Sequence, residues 1–213
     1  MSSYWPEFLM LFTINAMNVI SPGACFAITV RNSTIYTREI GILTALGIAT
    51  SSFTQKTYVL LGFGLFLAKN PLLFQTVKYV GCSHLLYLAF CCFRNSFKKP
   101  IKAVEEASVP KAILSKWGAY RSGFLTDFLN PQASLGFMSI VVATVSPETP
   151  ISIQACYAIP LVLTATLWYT TVAAFFSLSH LRRWFQGIQH WFERIMGGLL
   201  ISLSFRLALL TAR

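Results

Sequence analysis

The chain has 213 residues, 55% of them hydrophobic and 11% charged, with a mean hydropathy of +0.60. A soluble domain carries about 25% charged residues, so this composition excludes an ordinary soluble fold and indicates an all-α integral membrane protein. The net charge of +10 does not indicate a nucleic-acid partner, because the basic residues lie between apolar runs and share no helix face or aromatic platform.

The N-terminal MSSYWPEF has no Lys or Arg ahead of the first apolar run, and that run continues past Pro22. It reads as a retained span rather than a signal peptide. A helix needs about 20 apolar residues to cross a bilayer. By that measure six spans are predicted: Trp5 to Val30, Ile40 to Ala68, Leu72 to Phe93, Gly118 to Val145, Ile151 to Leu178 and Ile195 to Thr211. Between the last two, HLRRWFQGIQHWFER mixes aromatic and basic residues and predicts an amphipathic helix lying in the membrane interface.

The polar segment from Arg94 to Trp117 divides the chain into a first three-helix half, residues 1–93, and a second, residues 118–213, joined by a basic linker, residues 94–117. The loops after spans one, three and five hold twelve Lys and Arg residues, against Lys69, Lys78 and Arg213 on the other side. The positive-inside rule then makes the linker cytoplasmic and puts both termini on the non-cytoplasmic side. Three spans per half force opposite topologies, so the expected architecture is two inverted halves.

Each half opens with a proline inside an apolar stretch: Pro22 in SPG and Pro131 in NPQ. Proline removes one backbone hydrogen bond and blocks another by ring clash. In hydrocarbon the freed groups must be satisfied by neighbours or by a cavity. Helices broken at matching places in two halves mark transport sites. Gly23 leaves unwound backbone open to a ligand. Asp127 sits three residues before Asn130, and a carboxylate in a span faces a cavity, a partner or the nearby cytoplasmic surface. It is a candidate for a substrate ammonium or a transported proton. Lys56, flanked by Gln55 and Thr54, lies too deep in the second span to snorkel easily. It is expected to pair with Asp127 or to receive a substrate carboxylate. The candidate substrate-binding set is Pro22, Gly23, Gln55, Lys56, Asp127, Asn130 and Pro131.

Small residues at four-residue spacing, Gly47 with Ser51 and Gly198 with Ser202, are read as helix-packing positions. His84 is expected to make an interhelical hydrogen bond. The five cysteines, Cys25, Cys82, Cys91, Cys92 and Cys156, show no C-x-x-C spacing and read as buried thiols rather than a disulfide or metal framework. No phosphate-binding loop, nucleophile elbow or metal-ligand cluster is present in the sequence, so neither an enzyme nor a cofactor is expected.

The string SPGACFAITVRNSTIYTREIGILTALGIAT resembles the opening of the lysine-exporter and homoserine/threonine-exporter family, which begins with Pro-Gly-Pro, a polar loop and a Gly-rich second span. KYVGCSHLLYLAFCCF is similar to the family's G-x-x-Y-L-x-Y-x-G element, and GFLTDFLNPQASLGFM to its G-F-L-x-N-x-x-N-P-K-A signature. The resemblance implies a six-span exporter of amino acids or similar metabolites in the bacterial inner membrane, driven by the proton gradient, with a homodimer as an open option. Pro22 and Gly23 match the first motif, and Asn130 and Pro131 the last. Ala24 replaces the second proline, Asp127 an asparagine, Gln132 a lysine, His84 a tyrosine and Ala89 a glycine, and Ser51 and Ser52 fall where glycine is common. Lys56 has no family counterpart. Two rivals stand beside this reading: a non-transporting scaffold or partner subunit on the same fold, and a thiol–disulfide electron carrier.

Overall fold

A computed structural model describes residues 4–62, 71–97, 114–146, 148–175 and 179–209. The described residues form eight α-helices and no strands: α1 (Trp5–Ile20), α2 (Ala24–Ile35), α3 (Arg38–Gly62), α4 (Pro71–Ser96), α5 (Lys116–Phe128), α6 (Pro131–Thr144), α7 (Ile151–Phe175) and α8 (Ser179–Leu209).

Both proline-marked spans are broken. α1 and α2 are bent by 47° across Ser21-Pro22-Gly23. Ser21 is extended at φ −57°, ψ 131°, as the residue before a proline prefers, and Gly23 opens α2 at φ −122°, ψ −163°. α5 stops at Phe128, and Asn130 turns the chain into α6. The Asn130 carbonyl accepts from the N–H groups of Ala133 and Ser134. Pro131 takes the first helical position, where a missing N–H costs nothing.

α3 packs against α2, α5 and α7, and α4 against α6 and α8. The α3–α5 crossing is a backbone-to-backbone contact. A Cβ on Gly47 would strike the Tyr120 carbonyl and come within 2.8 Å of the Phe124 nitrogen, and one on Gly123 would strike the Thr44 carbonyl. Hydrogen bonds from Asn32 Nδ2 to Thr44 Oγ1 (2.9 Å) and Ser122 Oγ (3.4 Å) tie α2 to the same crossing. The main apolar core gathers Leu11, Leu60, Leu85, Ile140, Leu161 and Leu200 from α1, α3, α4, α6, α7 and α8.

Large apolar side chains also cover the outside. Phe53, Tyr79, Phe90, Ile159, Leu167 and Phe205 are all exposed on long helices. Water-facing surfaces rarely carry so much contiguous apolar area, whereas a lipid-facing one requires it. α7 is the one described helix that is both long and apolar enough to cross a membrane alone, and the bent α1–α2 pair passes the same test jointly. α3, α4 and α8, with 25, 26 and 31 residues, match a bilayer in length, since about 20 residues suffice, but they carry more polar side chains.

Three expectations need correction. The stretch read as a separate interfacial helix is continuous with the last span in the 31-residue α8. No proline interrupts residues 179–209, and without a breaker a helix has no reason to stop at a change in polarity. Gly198 is not a packing position, because a Cβ there would meet nothing within 4 Å. The Nε2 of His84 is buried without the expected hydrogen-bond partner among the described residues. Most of the linker, residues 98–113, lies outside the described residues, as does the end of the second predicted span, residues 63–68.

Candidate functional site

A cavity of about 220 Å³ opens where the two helix breaks approach each other. One water occupies about 30 Å³ of liquid, so the space holds several waters or a small metabolite. Its wall includes Pro22, Gly23, Gln55, Lys56, Asp127 and Asn130, six of the seven residues singled out from the sequence. Pro131 begins the adjoining helix, and its side chain lies outside the described residues.

The unwound segment supplies the N-terminus of α2, through Gly23, Ala24 and Cys25. No side chain caps that end. A helix N-terminus carries about half a positive charge, which favours an anionic group.

α3 brings Gln55 and Lys56 to the cavity one turn beyond Ser51 and Ser52. Gln55 acts as a clamp between helices. Its Nε2 donates to the Asp127 carbonyl (2.8 Å), to Asp127 Oδ2 (3.2 Å) and to Ser51 Oγ (3.3 Å), and its Oε1 accepts from Ser134 Oγ (3.0 Å). Tyr58 extends the chain by donating to Ser134 Oγ at 3.2 Å. Asp127 Oδ1 accepts from the Cys25 thiol at 3.5 Å. The last turn of α5 is therefore held by α2 and α3 through polar groups on both sides of one carboxylate.

Lys56 is buried. Its ammonium donates to Ser52 Oγ at 2.5 Å and stands 5.2 Å from the centre of the Phe137 ring. Lys56 and Asp127 share the cavity, but no ion pair within 4 Å joins them. An ammonium has three donors, and a carboxylate has about four acceptor positions. Both groups thus keep capacity for a ligand between or beside them.

Sequence reasoning missed the opposite wall. Asn15 and Asn18 of α1, Asn95 of α4, Tyr169 of α7 and Glu193 of α8 also line the cavity. Asn15 and Glu193 are buried, and each leaves a polar atom unpartnered, Nδ2 and Oε2 respectively. For Asn15 the available signal was an amide inside the first apolar run, in TINAM, whereas Glu193 beside Arg194 in WFERIM gave none. His84 does not line the cavity.

All five cysteines are free. Cys25, Cys91 and Cys92 reach the cavity wall, and Cys25 serves as a polar partner of Asp127 rather than as an inert hydrophobe. Among the described residues no cluster of His, Cys, Asp and Glu is arranged to hold a metal ion.

No solved structure matches the chain. The chain is 25% identical over 201 residues to a threonine efflux protein of Escherichia coli (strain K12), covering 94% of this chain and 96% of that protein. It is 28% identical over 198 residues to the uncharacterized membrane protein YahN of the same organism, covering 92% and 85%. It is 27% identical over 212 residues to the uncharacterized membrane protein YrhP of Bacillus subtilis (strain 168), covering 94% and 98%. Residues 16–211 match the family described as LysE type translocator, a span containing both helix breaks and the whole cavity wall apart from Asn15. The chain belongs to the LysE type translocator family and is a membrane transporter rather than an enzyme.

Proposed function

We propose that the chain exports amino acids or amino-acid-like small metabolites across the bacterial inner membrane. The observation that carries this reading is the cavity between two helix breaks, which offers a lysine, an aspartate and an uncapped helix N-terminus together. Those are the complements of a zwitterion. The cargo carboxylate docks at the start of α2 and on Lys56, and its ammonium on Asp127. Asn130 closes the site at the start of α6, and Gln55 holds Asp127 in position. The names of the threonine efflux relatives favour a cargo of this kind.

In this reading α1–α2 and α5–α6 each form one broken crossing, and α3, α4, α7 and α8 make the other four. The halves are related by inversion. Two sets of contacts exchange as a two-fold relation between the halves requires: α1 packs on α6 as α2 packs on α5, and α3 packs on α5 as α7 packs on α1. The charge bias sets both termini outside. Rocking of one half against the other exposes the cavity to each side in turn, and a proton entering on a cavity carboxylate drives the cargo out.

The test is efflux from proteoliposomes loaded with mixed labelled amino acids, with and without an imposed pH gradient. Selective loss accelerated by the gradient is the expected result. Loss that ignores the gradient removes the proton coupling. No loss, from folded protein, favours a scaffold role. An all-serine variant of the five cysteines with unchanged efflux disposes of a thiol–disulfide carrier.

A further inference from the structure

We propose that α4 and α8 move as one body between α6 and α2, so that the α4–α6 seam is the outer gate of the cavity and the gap between α2 and the α4–α8 pair its inner entrance. This rests on the inverted-halves transport reading above and narrows the moving part from a whole half to one helix of each.

Inversion exchanges α1 with α5, α2 with α6, α3 with α7 and α4 with α8. Most of the packing obeys that exchange. α3 packs on α6 as α7 packs on α2, and the α3–α7 and α4–α8 contacts map onto themselves. One relation is broken. α6 packs on both α4 and α8, whereas its counterpart α2 packs on α3, α5 and α7 and makes no comparable packing on α4 or α8 among the described residues. The cavity lies in that gap. Gly23 and Ala24 line it from α2, and Cys92, Asn95 and Met196 line it from α4 and α8.

Depth agrees with the broken relation. With both termini outside, α4 runs inward and ends at Ser96, so Asn95 carries the cavity wall to the inner end of that helix. Towards the outer side the same helices are sealed. Leu85 of α4 and Leu207 of α8 are buried in one apolar cluster with Ile140 and Val141 of α6 and Leu11 of α1. This arrangement faces inward.

The ties within each body are stronger than those across the seam. α4 and α8 are joined reciprocally: Ser204 Oγ donates to the Cys82 carbonyl (3.2 Å), and Cys82 Sγ donates to the Ser204 carbonyl (3.6 Å). A Cβ on Gly197 of α8 would come within 2.8 Å of the Phe93 ring of α4, so these two helices also approach closely. On the other side, backbone contact at Gly47 and Gly123 and the Asn32 hydrogen bonds fasten α2, α3 and α5 together. Lys56 and Asp127 belong to that stationary body. The α4–α6 seam is made of small and apolar groups. A Cβ on Gly81 would lie 3.6 Å from the Ser139 Cβ, and one on Gly136 would lie 3.3 Å from Leu88 Cδ1, while the Ser139 hydroxyl donates within α6 to the Leu135 carbonyl (2.7 Å). Dispersion contacts of this kind are individually weak and can be replaced by others against a new apolar surface. Applying the exchange to the broken relation gives the outward-facing state: α2 seated on α4 and α8, and α6 parted from them.

The test joins the seam covalently. Cβ atoms in a disulfide lie about 3.5–4.5 Å apart, and the 3.6 Å at Gly81 and Ser139 falls in that range. Gly81→Cys and Ser139→Cys are introduced together into the full-length protein with its five native cysteines changed to serine. Efflux of labelled amino acids from proteoliposomes is measured after oxidation and again after reduction. For labelling, Ala24→Cys is added, since Ala24 is exposed to the cavity, and the oxidised protein is treated with a membrane-impermeant maleimide in right-side-out and inside-out vesicles. The bond should form, efflux should fall at least about tenfold and return on reduction, and the reporter should react from the cytoplasmic face alone. Efflux that survives complete cross-linking overturns the gate, as does failure of the bond to form in folded protein. Any other labelling pattern overturns the inward-facing assignment, and this arm needs no transport, so it decides even where the reduced variant is inactive. No efflux by folded wild type refutes the transport reading itself, while the labelling still reports on the gate.

Discussion

Replacing Gln55 with leucine keeps the side-chain volume and removes every polar contact the amide makes. Two of those contacts hold α5. One is a neutral bond to the Asp127 carbonyl at 2.8 Å, and the other a charge-assisted bond to Asp127 Oδ2 at 3.2 Å. Neutral bonds contribute about 0.5–1.5 kcal/mol and bonds to charged groups about 1.5–3 kcal/mol. Their sum is about 2–4.5 kcal/mol. Asp127 lines the cavity, so water can replace part of what the carboxylate loses, which brings the expected cost to the lower half, about 2–3 kcal/mol. At about 2–4 °C per kcal/mol for a chain of this size, thermal unfolding in detergent should shift down by about 4–12 °C. Asp127→Asn removes the charge but leaves an acceptor, so the two changes should couple. In the double variant the combined loss should fall short of the sum by about 1 kcal/mol, the difference between a charged and a neutral bond. Additivity within about 0.3–0.5 kcal/mol, or a shift under about 2 °C for Gln55→Leu alone, refutes the claim that this amide positions the carboxylate.

Five further substitutions separate parts of the structure. Gly47→Ala drives a methyl group into Tyr120 and Phe124 backbone that cannot rotate away, and it should cost about 1–3 kcal/mol in a thermal-unfolding assay. Gly123→Ala parts the same two helices, so the pair should cost less than the sum, whereas Gly198→Ala, which meets open space on α8, should be neutral or stabilising by up to about 1 kcal/mol. Lys56→Met should weaken amino-acid binding at least about tenfold while leaving the corresponding amino-acid amide unaffected, because the amide has no carboxylate for the ammonium to meet; equal losses for both ligands would remove the carboxylate role. Glu7 accepts from the Ser146 N–H (3.0 Å) and from Thr149 Oγ1 (3.0 and 3.1 Å), pinning the turn before α7 to α1. Glu7→Ala should cost about 1–3 kcal/mol and speed proteolysis at that turn, and an unchanged cleavage rate would show the turn holds without it.

Some of this was legible in the sequence because its cause is local. Pro22 and Pro131 break helices through their own rings, so the two breaks and the cavity between them followed from residue chemistry. Lys56 and Asp127 were conspicuous as charges inside spans, and both line that cavity. The rest depends on which helix faces which. Gly47 and Gly198 look alike as small residues at four-residue spacing, yet one meets backbone and the other open space. Glu193 was hidden by its setting, because beside Arg194 and two aromatic residues it reads as part of an interfacial helix. Only the continuity of α8 and its packing on α4 carry it inward.

The distribution of satisfied and unsatisfied polar groups divides the cavity into two working parts. The α3–α5 crossing is held by backbone contact at Gly47 and Gly123 and by the Gln55 clamp, so Asp127 sits on the most constrained wall of the site. A carboxylate fixed in that way suits a feature common to every cargo, because common features need one geometry. The wall formed by α1 and α8 holds buried Asn15 and Glu193, each with one polar atom that lacks a partner among the described residues. Groups that gain their hydrogen bonds from cargo bias the protein toward whichever state brings cargo against them, by the free energy of those bonds and no more. A cargo that binds Asp127 in only one conformation should therefore shift the balance toward that conformation by its differential affinity.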